Sequence, residues 1–140
     1  MRAAILVLTL AAATVLVAAR PPQQGPAPAR RLPCKTPENT SMCYWTRGRV
    51  RVGNGTPSYR LWKVGTNRLL GIYSGPSVDR YSLDNEDPEF PANVQRVWQT
   101  RIGHSLFADF EVCTLEPGRP GFMQAACIES AENIFVQKPE

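Results

Sequence analysis

FADFEVCTLEPGRPGFMQAACI, residues 107–128, decides the fold. Its ends are strand-like segments, Phe107–Thr114 and Phe122–Ile128. Between them stands Pro117-Gly118-Arg119-Pro120-Gly121, a strong turn signal. Strand, turn and strand make a hairpin. Cys113 and Cys127 are equidistant from Pro120, so a simple hairpin sets them directly opposite one another. Opposed Cα atoms in such a pair lie about 4.5–5.5 Å apart, within reach of a disulfide. Four cysteines allow three pairings. The opposition favours Cys113–Cys127, and elimination then gives Cys34–Cys43. The same register sets Glu111 opposite Glu129, with Asp109 on the same face.

Upstream of the hairpin, Tyr44 to Val52 alternates. Arg47, Arg49 and Arg51 fall on one side; Gly48, Val50 and Val52 fall on the other. Period two means a strand with one polar face. Gly53-Asn54-Gly55-Thr56 turns the chain into a second strand, Ser58 to Val64, with Trp62 and Val64 on one face. Thr66-Asn67 leads into a third, Arg68–Tyr73. Ser74 to Pro91 reads as loop, with the acids Asp84, Glu86, Asp87 and Glu89. Pro91 to about Thr100 is the one expected helix. Proline suits a first turn, the acids before it favour the positive end, and Val94, Val97 and Trp98 share a face. Ile134–Gln137 adds a last strand. Short strands, frequent Gly/Pro turns and one short helix predict a mainly β fold. The expectation is a small antiparallel sandwich or barrel of about six strands, stapled by disulfides.

The chain begins differently. Met1-Arg2 is followed by an apolar run from Ala3 to Ala19, and Val17-Ala18-Ala19 offers small residues before a cut. That is the layout of a secretory signal peptide over residues 1–19. A retained anchor usually needs about 20 apolar residues. Residues 20–33, RPPQQGPAPARRLP, hold five prolines and read as an extended tether. Residues 34–140 then form a single β-rich domain. The expected location is secreted or periplasmic, where Cys34, Cys43, Cys113 and Cys127 form disulfides by default. Close C-x2-4-C pairs of a zinc site are absent from the spacing. No cofactor or metal is expected.

The chain has 140 residues, 43% hydrophobic and 20% charged. That is too apolar for a wholly disordered chain and too short for an eight-fold strand–helix barrel of about 250 residues. The net charge of +4 hides two opposed halves. Residues 20–68 carry ten Lys/Arg and one acid, while residues 69–140 carry five Lys/Arg and eleven acids. The stripe Arg47, Arg49, Arg51, joined by Arg60 and Arg68, suits an anion-binding face. Pairing with the acidic hairpin is the favoured alternative, because like charges such as Glu111 and Glu129 in direct opposition need neutralising.

Asp109, Glu111 and Glu129 could also bind a divalent ion or act as an acid/base pair. Adjacent strands hold such groups only about 5 Å apart, and no cleft is legible. Asp84, Asn85, Glu86, Asp87 and Glu89 lack the spacing of a calcium loop. His104 is the only histidine, next to Ser105, and a strand-end role is favoured for it. Trp45, Trp62 and Trp98 could stack on sugars or bases, but aromatics of a small domain more often fill its core. Asn39-Thr40-Ser41 and Asn54-Gly55-Thr56 match the glycosylation sequon, the second being better read as a turn.

Several segments act together: Arg47-Gly48-Arg49-Val50, Asn54-Gly55-Thr56-Pro57, residues 60–68, Pro91-Ala92-Asn93-Val94, residues 107–113 and residues 127–131. Over roughly residues 43–136 the chain resembles a family of small, exported, uncharacterised bacterial proteins. The resemblance implies export and a shared β domain, and no chemistry. The tether and the compact domain fit the expected role, a non-catalytic binding or structural module of the cell envelope or periplasm. A small hydrolase using the carboxylate cluster and an anion or glycan binder using the arginine stripe are the alternatives. An envelope protein or a glycan is the expected partner, and nucleic acid is disfavoured.

Overall fold

A computed structural model describes residues 30–76 and 87–139. The signal peptide expected over 1–19, most of the expected tether, and Asp84, Asn85 and Glu86 lie outside the described residues. The described chain is mainly β, with five strands in one sheet and one short helix. In chain order these are β1 (Cys43–Val52), β2 (Tyr59–Lys63), β3 (Leu69–Ile72), α1 (Ala92–Val97), β4 (Ser105–Thr114) and β5 (Gln124–Gln137). The strands run β1-β2-β3-β5-β4, and β4 pairs back onto β1, so the sheet closes on itself. All neighbours are antiparallel except β3 and β5, which pair in parallel through residues 70–72 and 124–126.

Five strands replace the expected six because the last two are one. β5 continues without a break through Glu129–Asn133, a polar stretch that reads as a connection. Its pairing with β4 absorbs two register shifts, and Asn133 takes a positive φ of 50°. Asparagine tolerates that conformation better than most residues.

The inward sides of the strands build the core. Val50, Leu61, Leu70, Ile72, Leu106, Phe110, Val112 and Ile128 are almost fully buried. Gly48 faces inward among them. A Cβ there would lie 2.9 Å from Leu61 Cδ2 and 3.1 Å from Phe110, so the inner space is already filled. Tyr59, Phe90 and Trp98 meet edge to face, with centroids 5.4–6.0 Å apart. The Arg101 guanidinium lies over all three rings and pairs with Asp87.

The helix is shorter than expected, ending at Val97. Val94 and Trp98, four residues apart, are buried as one face. Val97 is 52% exposed and does not share it. Glu89 does not serve the helix either. Its carboxylate accepts from the backbone N–H groups of Arg31 and Leu32, each at 2.9 Å, and pairs with Arg31 Nε at 2.8 Å.

That contact belongs to a strap, residues 30–39, laid along the sheet. Arg30 donates to the carbonyls of Leu32, Ser74 and Ile128. Gly75 lets the strap approach, since a Cβ there would stand 2.5 Å from the Pro33 carbonyl oxygen. The last residues expected in the tether, Arg30–Pro33, thus pack on the domain. The disulfides are Cys34–Cys127, which fixes the strap to β5, and Cys43–Cys113, which joins β1 to β4. The expected pairing, Cys34–Cys43 and Cys113–Cys127, is therefore wrong. Cys113 and Cys127 do stand opposite one another. Cys113 also stands opposite Cys43 on its other side, with Cα atoms 4.0 Å apart, and bonds there instead.

Candidate functional site

Alternation in β1 sends Arg47, Arg49 and Arg51 to the outer side of the sheet, as its sequence implies. The sheet then gives each a different neighbour. Arg47 stands opposite Asp109 on β4, with an Nη1–Oδ1 distance of 3.4 Å. Asp109 also accepts from Asn133 Nδ2 at 2.7 Å. That hydrogen bond, and then the charge of Arg47, hold its carboxyl below the usual range. This end of the stripe is neutralised internally.

Arg49 stands between Phe107 on β4 and Trp62 on β2. Its guanidinium lies 5.2 Å from the Trp62 ring centroid, a cation–π contact. Arg51 is exposed and stands directly opposite Arg60 on β2. Arg60 is steadied by the turn before it, donating through Nη2 to the Asn54 carbonyl at 2.5 Å and through Nε to that of Pro57. Among the described residues, no carboxylate comes within ion-pairing distance of Arg49, Arg51, Arg60 or Arg68. Among the described residues the far end of the stripe is therefore a cationic surface without a paired carboxylate.

Two shallow depressions extend it. One, of 330 Å³, lies among Arg49, Arg51, Arg60, Trp62 and Leu69. The other, of 520 Å³, lies among Arg68, Leu69, Arg119, Phe122 and Gln124. Leu69 lines both, so the two depressions adjoin there, and the pair, a groove divided at Leu69, reaches from β1–β2–β3 to the loop between β4 and β5. Leu69 is 46% exposed and Phe122 71% exposed. Arg119 stacks on Phe122 at 5.2 Å. Arg49 and Arg119 are thus guanidinium planes held on aromatic rings at the two ends of the groove. Such planes present fixed forks to carboxylate, phosphate or sulfate.

The carboxylate cluster has other work. A register shift between Glu111 and Val112 removes the expected Glu111–Glu129 opposition, and Glu111 faces Ser130 instead. Glu111 pairs with Lys35 Nζ at 2.7 Å and accepts from the Ser130 hydroxyl at 3.2 Å. Glu129 accepts from the Lys35 backbone N–H at 2.9 Å. Glu111 and Glu129 therefore fasten the strap, while Asp109 neutralises Arg47. Among the described residues no group of three or more His, Cys, Asp or Glu is placed to hold a metal ion.

The remaining candidates disperse. His104 is half-buried at the start of β4, its Nδ1 3.2 Å from the Ile102 carbonyl oxygen. Ser105 is buried. Trp98 is in the core, Trp45 is 49% exposed elsewhere on β1, and Trp62 alone joins the groove. Asn39 is buried, donating its amide to the Cys34 carbonyl at 2.8 Å. Asn54 is exposed in the β1–β2 turn. The sequence names Arg49, Arg51, Arg60 and Arg68 but gives no sign that Arg119, Phe122 and Leu69 join them. That grouping depends on β3 lying beside β5.

No helix among the described residues is long and apolar enough to cross a membrane. Comparison with known proteins finds no matching family model, curated protein or solved structure.

Proposed function

We propose that the protein is a non-catalytic binding module of the cell envelope or periplasm that takes an anionic ligand on the outer face of β1–β2–β3. One observation carries this reading. Arg51 and Arg60 stand in direct opposition, and among the described residues no carboxylate pairs with either. Like charges so placed destabilise a sheet, and an anion bound between them removes the penalty. Asp109 neutralises Arg47 at the other end of the same stripe, and among the described residues no carboxylate does so for Arg51 or Arg60.

The architecture supports the location. A five-stranded barrel with its helix between strands three and four, and strands three and five parallel, has the plan of an OB-fold. Ligands of that fold lie over strands two and three, between the first–second and fourth–fifth loops. The groove here occupies the same position. This is analogy from architecture, and the arginines supply the chemistry. Export rests on residues 1–19 and on the disulfides, which suit an oxidising compartment.

The test is equilibrium binding of a sulfated polysaccharide at low ionic strength. Paired Arg51→Gln and Arg60→Gln substitutions should weaken it without lowering the melting temperature. Binding undiminished by both substitutions contradicts the reading.

A further inference from the structure

The groove has cations at both ends, and that arrangement says more about the ligand than its sign. Resting on the anion-binding reading above, we infer that the ligand is a linear anionic polysaccharide that spans both ends, rather than one small anion. The first end is Arg51 with Arg60, beside Arg49 on Trp62. The second is Arg68 with Arg119 on Phe122. Arg60 is opposite Gly71 on β3, three residues from Arg68. At strand spacings of about 4.8 Å across and 3.3 Å along, those two backbones are roughly 11 Å apart. Leu69 lies between them and bears no charge, so a ligand engaging both ends must cross an apolar saddle. A polymer with anionic groups at intervals does this, and each end raises the effective concentration of ligand at the other.

The rings distinguish a polysaccharide from a single-stranded nucleic acid. Strong nucleic-acid binding of that kind uses aromatic faces on which successive bases stack. Here Trp62 carries Arg49 and Phe122 carries Arg119. Phe107 and Phe135, next along the same cross-strand row, lean on one another at 43° with centroids 6.3 Å apart. Within the groove each ring has a guanidinium over it, so stacked bases would have to displace those groups. Beside the rings stands a set of charged forks with Asn67 and Gln124, suited to sulfate or carboxylate groups on a hydroxyl-rich chain.

The experiment uses intrinsic tryptophan fluorescence and calorimetry with three probes: size-graded heparin fragments, inorganic sulfate, and oligothymidylate of matched charge. Affinity for the fragments should rise by about a hundredfold with length and then level off. Arg68→Gln with Arg119→Gln should remove that gain and leave the shortest fragment unaffected. Arg51→Gln with Arg60→Gln should weaken fragments of every length. A length series without a rise, or sulfate binding as tightly as the longest fragment, overturns the two-ended site while leaving an anion site standing. Oligothymidylate binding more tightly than the fragments overturns the choice of polysaccharide. Failure of all three probes overturns the anion-binding reading itself.

Discussion

Arg51 and Arg60 are the residues on which the account turns, and they make a prediction opposite to the usual effect of mutation. Most substitutions destabilise a protein. Arg51→Thr removes one of two opposed cations and places a good strand former at an exposed strand position. Urea unfolding should show a gain of about 0.5 kcal/mol, the size of one unfavourable cross-strand pair. The same variant should bind anions more weakly. Arg47→Gln should behave differently, because it strips Asp109 of a partner rather than relieving repulsion. On the inner side of the same strand, Gly48→Ala forces a methyl against Leu61 and Phe110. Overpacking at such a site costs about 1–3 kcal/mol, measurable as a lower urea midpoint with an unchanged slope.

At the scale of elements, the strap is the part whose hold depends on pH. Burial alone would raise the Glu89 carboxyl. The backbone N–H of Leu32, with the side chain and backbone of Arg31, outweighs it and leaves Glu89 below the ordinary carboxylate range. A carboxyl lowered in the folded state contributes stability above its unfolded pKa, near 4.3, and loses it as pH falls through the folded value. Thermal stability should therefore decline as pH drops below about 4.3, and Glu89→Gln should flatten that decline. An equal decline in both proteins would remove Glu89 from the account. The strands themselves were largely legible. β1 announces itself by alternation, and Pro117–Gly121 does fall between β4 and β5. The middle of β5 was not, because Glu129–Asn133 is a polar run whose strand conformation comes from pairing with β4 rather than from its own residues. Half of the arginine stripe was legible for the same reason: period two gives its face, while only β4 and β2 decide that Arg47 meets an acid and Arg51 meets Arg60.

The whole molecule is set by long-range closure, and there the sequence is least informative. The Cys113–Cys127 opposition could be read from one turn, but the pairing of β1 with β4 that offers Cys43 to Cys113 could not. Peptide mapping without reduction should recover Cys34 linked to Cys127 and Cys43 linked to Cys113, across separations of 93 and 70 residues. Replacing Cys34 and Cys127 together by serine should cost about 2–5 kcal/mol, as for other long-range bridges in small domains. Closure also gathers β3 and the β4–β5 loop beside the arginine face, so the groove is a property of the closed sheet rather than of any segment. Its most direct test is the salt concentration that elutes the protein from immobilised heparin. Log affinity falls linearly with log salt, with a slope set by the number of ionic contacts. Arg51→Gln and Arg60→Gln should each elute earlier and reduce that slope by about one, whereas ion-paired Arg47→Gln should elute with the wild type. Equal loss at Arg47 and Arg51, or a protein that is never retained, would contradict the binding face.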